Sequence, residues 1–224
     1  GLMFNRSARA AVAEPAPLAL RESLLSGFTS EGLRVPARPA ALDRLLQGDP
    51  DECAAREVAE ALFVVKGRDR EASLLLDSAL TTRRKALAVA RVLGEPAGTV
   101  GVAGLLHRAG EACALRSLAL AELTTHVRLD VPSRAELCAR HQLQFTEQLI
   151  SDWRLPQPVA EVLRGWRQFR TTSSRAAAIV YYAHLLASEE LHPEFFAPGL
   201  LRSVGTELGI DPAGSALQVA RKEV

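Results

Sequence analysis

Cysteine is scarce in this sequence, and the few cysteines form no short motif. Cys53, Cys113 and Cys138 lie far apart, and no CxxC pair is present. A zinc knuckle needs paired cysteines at close spacing, so this class of site is excluded. Isolated thiols are typical of a reducing cytoplasm, where each acts as a small buried apolar group. We therefore expect a cytoplasmic protein with three buried thiols.

Long apolar runs and an excess of charge are also absent, and we do not expect the opening segment to be a secretory leader. No apolar run approaches the roughly 20 residues that a membrane-spanning helix needs. The opening GLMFNRSARAAVAEPAP lacks a basic end followed by an apolar stretch. The formal net charge is +1 at pH 7 over 224 residues, which gives no electrostatic reason to expect nucleic acid or a membrane as a partner.

Strand-like alternation of apolar and polar residues is rare, whereas helix-forming residues are abundant, so we predict an all-α fold. Prolines and glycines divide the chain into helices. The helices are predicted near residues 17–27, 40–47, 51–66, 70–94 with a break at Thr81 and Thr82, from Pro96 to 125, 134–153, 156–167, 173–188, 193–208 and 213–222. This length is enough for one large domain or two small ones.

Three local patterns carry more specific expectations. Ser133 followed by Glu136 has the spacing of a capping box, and Ser174 is a candidate N-cap. The basic run TTRRKA at 81–86 is interpreted as a solvated helix face rather than a nucleic-acid patch.

Three segments together resemble the HDOD family of the HD superfamily. They are VAGLLHRAGEA, FTEQLISDWRLPQPVAEVLRGW and VPARPAALDRLLQGDPDE followed by EVAEAL. Their order and character agree with those of the family's segments over roughly residues 34–209. The resemblance implies a helical bundle of the HD/HDOD type, with a smaller N-terminal helical segment at 1–69 and the bundle at 70–224, packed as one unit. Between the first motif and GLLH the chain is shorter than the family pattern.

The resemblance also implies where metal ligands would lie, because an HD phosphohydrolase needs at least two histidines and two aspartates around its metal. No histidine precedes His107, and Asp77 or Thr81 stands near the place of the first ligand. Arg108 stands in place of the aspartate of the His-Asp pair, and a guanidinium offers no lone pair to a metal. Gln142 stands where a later histidine belongs.

A His-His pair of the family corresponds to Trp166 and Arg167, so His107 is the one ligand position retained, and a lone imidazole makes no hydrolytic centre. We expect His107 to be partly buried and bonded to a neighbouring carbonyl or carboxylate. His126, His184 and His192 carry no ligand spacing and are interpreted as structural.

Arg108 carries the sharpest structural hypothesis. It fills the former metal cavity as an internal cation, beside a remaining carboxylate such as Asp77 and with Arg167 nearby. The alternatives are that Arg108 points to solvent, or that both arginines bind an anion such as phosphate.

The predicted function is a catalytically inactive HDOD-type regulatory module that works by protein–protein contact in bacterial signalling. It has no catalytic, metal or cofactor-binding residues. The alternatives are an atypical metal-dependent phosphohydrolase and a small-ligand sensor that uses the vacated cavity. Trp153, Trp166, Tyr181 and Tyr182 are interpreted mainly as core, and any exposed one is a candidate contact residue.

Overall fold

The computed structural model describes residues 35–172, 174–196 and 198–210, and all regular structure in these ranges is helical. The all-α prediction is confirmed for this part of the chain. The helices are α1 (Ala41–Leu46), α2 (Glu52–Phe63), α3 (Asp69–Leu93), α4 (Ala97–Leu106), α5 (Ala109–Thr125), α6 (Val131–Asp152), α7 (Gln157–Gly165), α8 (Phe169–Thr172), α9 (Arg175–Leu191) and α10 (Pro198–Glu207). Short 3₁₀ turns cover Trp166–Gln168 and Pro193–Phe195. The helices predicted near 17–27 and 213–222 lie outside the described residues.

Helix α3 is the longest helix in the described chain, with 25 residues, and it packs on α2, α4 and α9. The predicted break at Thr81 and Thr82 is wrong, because the helix runs through both residues and buries them. Tertiary packing overrides the modest helix propensity of threonine. Gly104 lets α4 approach α3 closely, since an added Cβ would lie 3.1 Å from Ala86 Cβ.

The interpretation of the run TTRRKA as a solvated face is also wrong. The side chains of Arg83 and Lys85 are only 2% and 3% exposed. Arg83 Nη1 lies 2.6 Å from a carboxylate oxygen of Glu52, and Lys85 Nζ lies 2.8 Å from one of Glu190. Because α2, α4 and α9 surround this part of α3, the aliphatic stems are buried while the charged ends reach acids at the periphery.

One of the two cap predictions is confirmed. Ser174 is the N-cap of α9, and its side chain accepts a hydrogen bond from the backbone N–H of Ala177 at 3.2 Å. The capping box at Ser133 is wrong, because α6 begins three residues earlier than that motif requires. Asp130 is the N-cap, and its carboxylate accepts from the backbone N–H of Ser133 at 2.7 Å.

A single hydrophobic cluster includes residues of α1 and α2 together with those of the later helices. The segment before α1 is held at the end of α6: Trp153 Nε1 donates to the carbonyl of Pro36 at 2.9 Å, and Arg38 Nε donates to the carbonyl of Trp153 at 2.8 Å. The N-terminal helices therefore pack directly on the bundle. The boundary between residues 69 and 70 stays a prediction.

The cysteines and large aromatic residues divide by burial. Cys113 and Cys138 are buried as expected, but Cys53 is exposed, because it lies in the first turn of α2 on its outer face. Trp153, Trp166 and Tyr182 are buried. Tyr181 is half-buried and stacks on Phe169 with ring centroids 4.9 Å apart. Trp153, Trp166 and Tyr182 therefore offer no exposed contact surface, and Tyr181 offers only part of one.

Candidate functional site

His107 lies at the junction of α4 and α5, where its imidazole is buried. Its Nδ1 atom is 2.8 Å from the carbonyl oxygen of Gly104, one turn earlier. A carbonyl only accepts, so Nδ1 carries the hydrogen and donates it. The expected hydrogen bond to a neighbouring carbonyl is confirmed, whereas His107 is buried and not partly buried as expected.

The second nitrogen of His107 contacts another histidine. Nε2 lies 3.1 Å from Nδ1 of His184, which belongs to α9. Because Nδ1 of neutral His107 already holds the hydrogen, Nε2 is the acceptor and His184 is the donor. His184 is therefore a structural partner of His107, although its place beside His107 was not predicted. One feature of the sequence pointed to this contact: His184 is a polar residue inside the apolar stretch YYAHLLA. A polar side chain needs a hydrogen-bond partner when its helix is buried.

Both imidazoles are held in the neutral form. Burial, followed by the proximity of the His184 imidazole and of the Arg108 cation, lowers the pKa of His107 well below its usual range. Burial, followed by the positive charges of Arg108 and Arg167, lowers the pKa of His184 to about 4. At neutral pH the chain of hydrogen bonds therefore runs in one direction, from His184 through His107 to Gly104.

Trp166 packs against both imidazoles. Its ring centroid is 4.9 Å from that of His107 and 5.2 Å from that of His184, both in edge-to-face geometry. The indole reaches this place because α7 ends at Gly165 and a 3₁₀ turn follows. This packing covers much of the histidine pair, although His184 stays partly exposed, and contributes to its low proton affinity.

Two arginines share one carboxylate next to the histidine pair. Arg108 donates from Nε and Nη2 to the two oxygens of Glu111, at 3.0 Å and 2.7 Å. Arg167 lies 4.8 Å over the ring of Trp166, and its Nη2 is 3.8 Å from Glu111. Burial lowers the pKa of Arg167, yet arginine stays protonated in proteins. Two cations and one anion therefore leave one positive charge in excess.

The structure thus brings His107, Arg108, Trp166 and Arg167 together. The carboxylate beside Arg108 is that of Glu111, not Asp77, because Arg108 is the N-cap of α5 and Glu111 lies three residues later in its first turn. Asp77 is exposed on α3, where its carboxylate lies 3.5 Å from the hydroxyl of Ser73.

The two remaining positions lie outside this group. Thr81 is buried in α3, and its hydroxyl accepts from Arg84 at 3.2 Å. Gln142 lies on α6, and its backbone carbonyl accepts from the hydroxyl of Thr146 at 2.8 Å. That backbone faces Gly110, which has room only for a hydrogen at this position. In the described structure, the backbone of Gln142 therefore packs closely against α5 at Gly110.

Within the ranges that the structure describes, no three histidine, cysteine or acidic side chains lie close enough together to hold a metal ion. No helix there is both long and apolar enough to cross a bilayer. No known protein-family model matches the chain, and no similar curated protein or solved structure was found. The HDOD resemblance stays a prediction.

Proposed function

We propose that this chain is a catalytically inactive regulatory module, similar to HDOD domains, that acts by contact with a partner protein in a signalling pathway. The supporting observation is the group formed by His107, His184, Arg108, Glu111 and Arg167. If the resemblance holds, this group stands where an HD enzyme places its metal.

The chemistry of this group opposes a bound dication. The lone pair of His107 Nε2 accepts a hydrogen bond from His184, so it is not free to bind a metal. The carboxylate of Glu111 is neutralised by two guanidinium groups. A divalent ion would also be repelled by the excess positive charge.

Metal analysis combined with an activity assay tests the loss of catalysis. We expect the purified protein to retain no stoichiometric zinc or manganese. We also expect it to hydrolyse bis(p-nitrophenyl) phosphate no faster than the His107→Ala variant, with Mn²⁺ or Zn²⁺ added. Stoichiometric metal together with turnover that His107→Ala abolishes would support the atypical phosphohydrolase instead.

Partner contact is tested at exposed apolar side chains, because the tryptophans and tyrosines are buried or half-buried. Leu143 on α6 and Leu123 on α5 are 57% and 66% exposed. We expect a partner captured from the native host to be lost with Leu143→Glu or Leu123→Glu. It should be retained with Arg140→Ala, a change on the exposed side of α6. Capture that none of these variants alters, or no reproducible partner, contradicts this proposal.

A further inference from the structure

A groove lies between the beginning of α3 and helices α5 and α6. Its cavity volume is about 160 Å³. Leu75, Leu115 and Cys138 form its buried lining, while Leu74 and Val131 are exposed at its edge. Apolar cavities of about 150 Å³ accommodate a benzene molecule. The groove therefore has the size and lining for an apolar group of about six carbon atoms.

One polar end of the groove is electrically balanced. Arg134 Nη2 is 2.8 Å from a carboxylate oxygen of Glu71, and its Nε is 3.1 Å from the same oxygen. Its remaining nitrogen donates to the carbonyl of Leu129. Cys138 adds no charge, because burial raises the pKa of its thiol to about 12. This end has little capacity left for a charged ligand.

The other polar end has one positive charge in excess. Arg108 and Glu111 line the groove there, and Arg167 stands behind Glu111. Glu111 holds Arg108 through Nε and Nη2 only, and Nη1 has no hydrogen-bond partner in the described part of the chain. A fixed guanidinium with a free donor is suited to an anionic oxygen.

We infer that this groove binds a small apolar monocarboxylate, with the apolar part against Leu75 and Leu115 and the carboxylate on Arg108. One excess charge and one free nitrogen match a single carboxylate better than a dianion. The inference goes beyond the proposed function and does not depend on it. The groove lining includes neither His107 nor His184.

Three probes separate the two parts of the inferred ligand. Phenylacetate carries both the ring and the charge, phenylacetamide keeps the ring without the charge, and acetate keeps the charge without the ring. By calorimetry we expect phenylacetate to bind with a Kd of about 1 mM, at least about tenfold more tightly than either of the others. In methyl NMR spectra, phenylacetate should shift the signals of Leu74, Leu75, Leu115 and Val131.

Charge variants test the role of Arg108 with opposite expected signs. Arg108→Gln should weaken phenylacetate binding about tenfold and leave phenylacetamide binding unchanged. Glu111→Gln should strengthen phenylacetate binding, because it removes a negative charge and releases the other donors of Arg108. Arg140→Gln is the matched control, because it removes an exposed arginine of α6 that does not line the groove. It should leave the binding of phenylacetate unchanged.

Several results would overturn the inference. They are no binding of phenylacetate up to about 10 mM, equal binding of acid and amide, equal binding in Arg108→Gln, or weaker binding in Glu111→Gln. Ala135→Trp gives a test without a charge change, since Ala135 lines the groove and is exposed. A tryptophan there should block phenylacetate, and unchanged binding contradicts the assigned place. None of these outcomes affects the metal and partner tests.

Discussion

His184 donates a hydrogen bond from Nδ1 to Nε2 of His107, a residue 77 positions earlier in the chain. The pair is neutral, and each ring depends on the other or on Gly104 for its hydrogen bond. Protonation of His107 on Nε2 would place two N–H donors against each other, so the arrangement persists only while His107 remains neutral.

The histidine pair predicts a specific loss of stability in acid. An ordinary histidine has a pKa of about 6.5, whereas that of folded His184 is lowered to about 4. A lowered pKa in the folded state means that its contribution is complete above pH 6.5 and is lost as the pH falls toward 4. We compare the free energy of unfolding of the wild type with that of His184→Gln. The wild-type value minus the variant value should therefore be about 2 to 3 kcal/mol smaller at pH 4 than at pH 7.

Urea unfolding at a series of pH values measures this difference. His126→Asn is the matched control, because His126 is exposed and ends α5 with φ 58°, a conformation that asparagine adopts. It measures the effect on stability of replacing an exposed histidine at the end of a helix. A pH-independent difference for His184→Gln would contradict the buried neutral pair.

Gly110 predicts a steric cost at the contact between α5 and α6. A Cβ there would clash with the backbone carbonyl of Gln142 and with the hydroxyl of Thr146. Gly110→Ala should lower the free energy of unfolding by about 2 to 3 kcal/mol. Gly199→Ala meets no heavy atom and should be neutral or stabilise by about 0.5 kcal/mol. Equal effects in thermal or urea unfolding would refute this close approach.

The ion pair of Arg83 and Glu52 should respond unequally to replacement of its two partners, as measured by the free energy of unfolding. Arg83 is buried, whereas the side chain of Glu52 is 59% exposed. Arg83→Ala removes a long side chain from the packed interior and should cost about 2 to 4 kcal/mol in urea unfolding. Glu52→Gln keeps an acceptor oxygen and should cost less than about 1 kcal/mol. A small loss for Arg83→Ala would show that this part of α3 is solvated after all.

The thiols predict selective alkylation. Cys53 is exposed, whereas burial raises the pKa of both Cys113 and Cys138 to about 12. Because the thiolate is the reactive form, iodoacetamide should modify only Cys53 in the native protein and all three cysteines in urea. Intact-mass spectrometry reads the adduct count, and Cys53→Ser should show none in the native state. Modification of Cys138 as fast as Cys53 would be inconsistent with its burial.

The helical fold and most helix positions could be predicted from the sequence, because proline, glycine and helix-forming residues act locally. The same local information places Ser174 correctly at the start of α9. It fails at TTRRKA, since burial of Arg83 and Lys85 depends on three helices that pack around α3 from elsewhere in the chain.

The site could be predicted only in part. Residues near His107 and Trp166 were identified through the family resemblance, and they do lie together. The two partners that complete the group were not predicted. His184 belongs to a helix that is distant in the sequence, and the contact of Glu111 with Arg108 depends on α5 beginning at Ala109. A hydrogen bond between residues 77 positions apart produces no repeating pattern in a single sequence, so the sequence does not indicate it.

The length of α3 has a mechanical consequence. Leu74 at the groove and Lys85 against Glu190 of α9 lie on one uninterrupted helix, roughly 16 Å apart along its axis. A helix does not shorten measurably under small loads, so an axial displacement at Leu74 moves Lys85 by the same distance. Because α3 packs on α2, α4 and α9 along this length, such a displacement has to shift those packed contacts as well, so the interior resists a push on the first turns of α3.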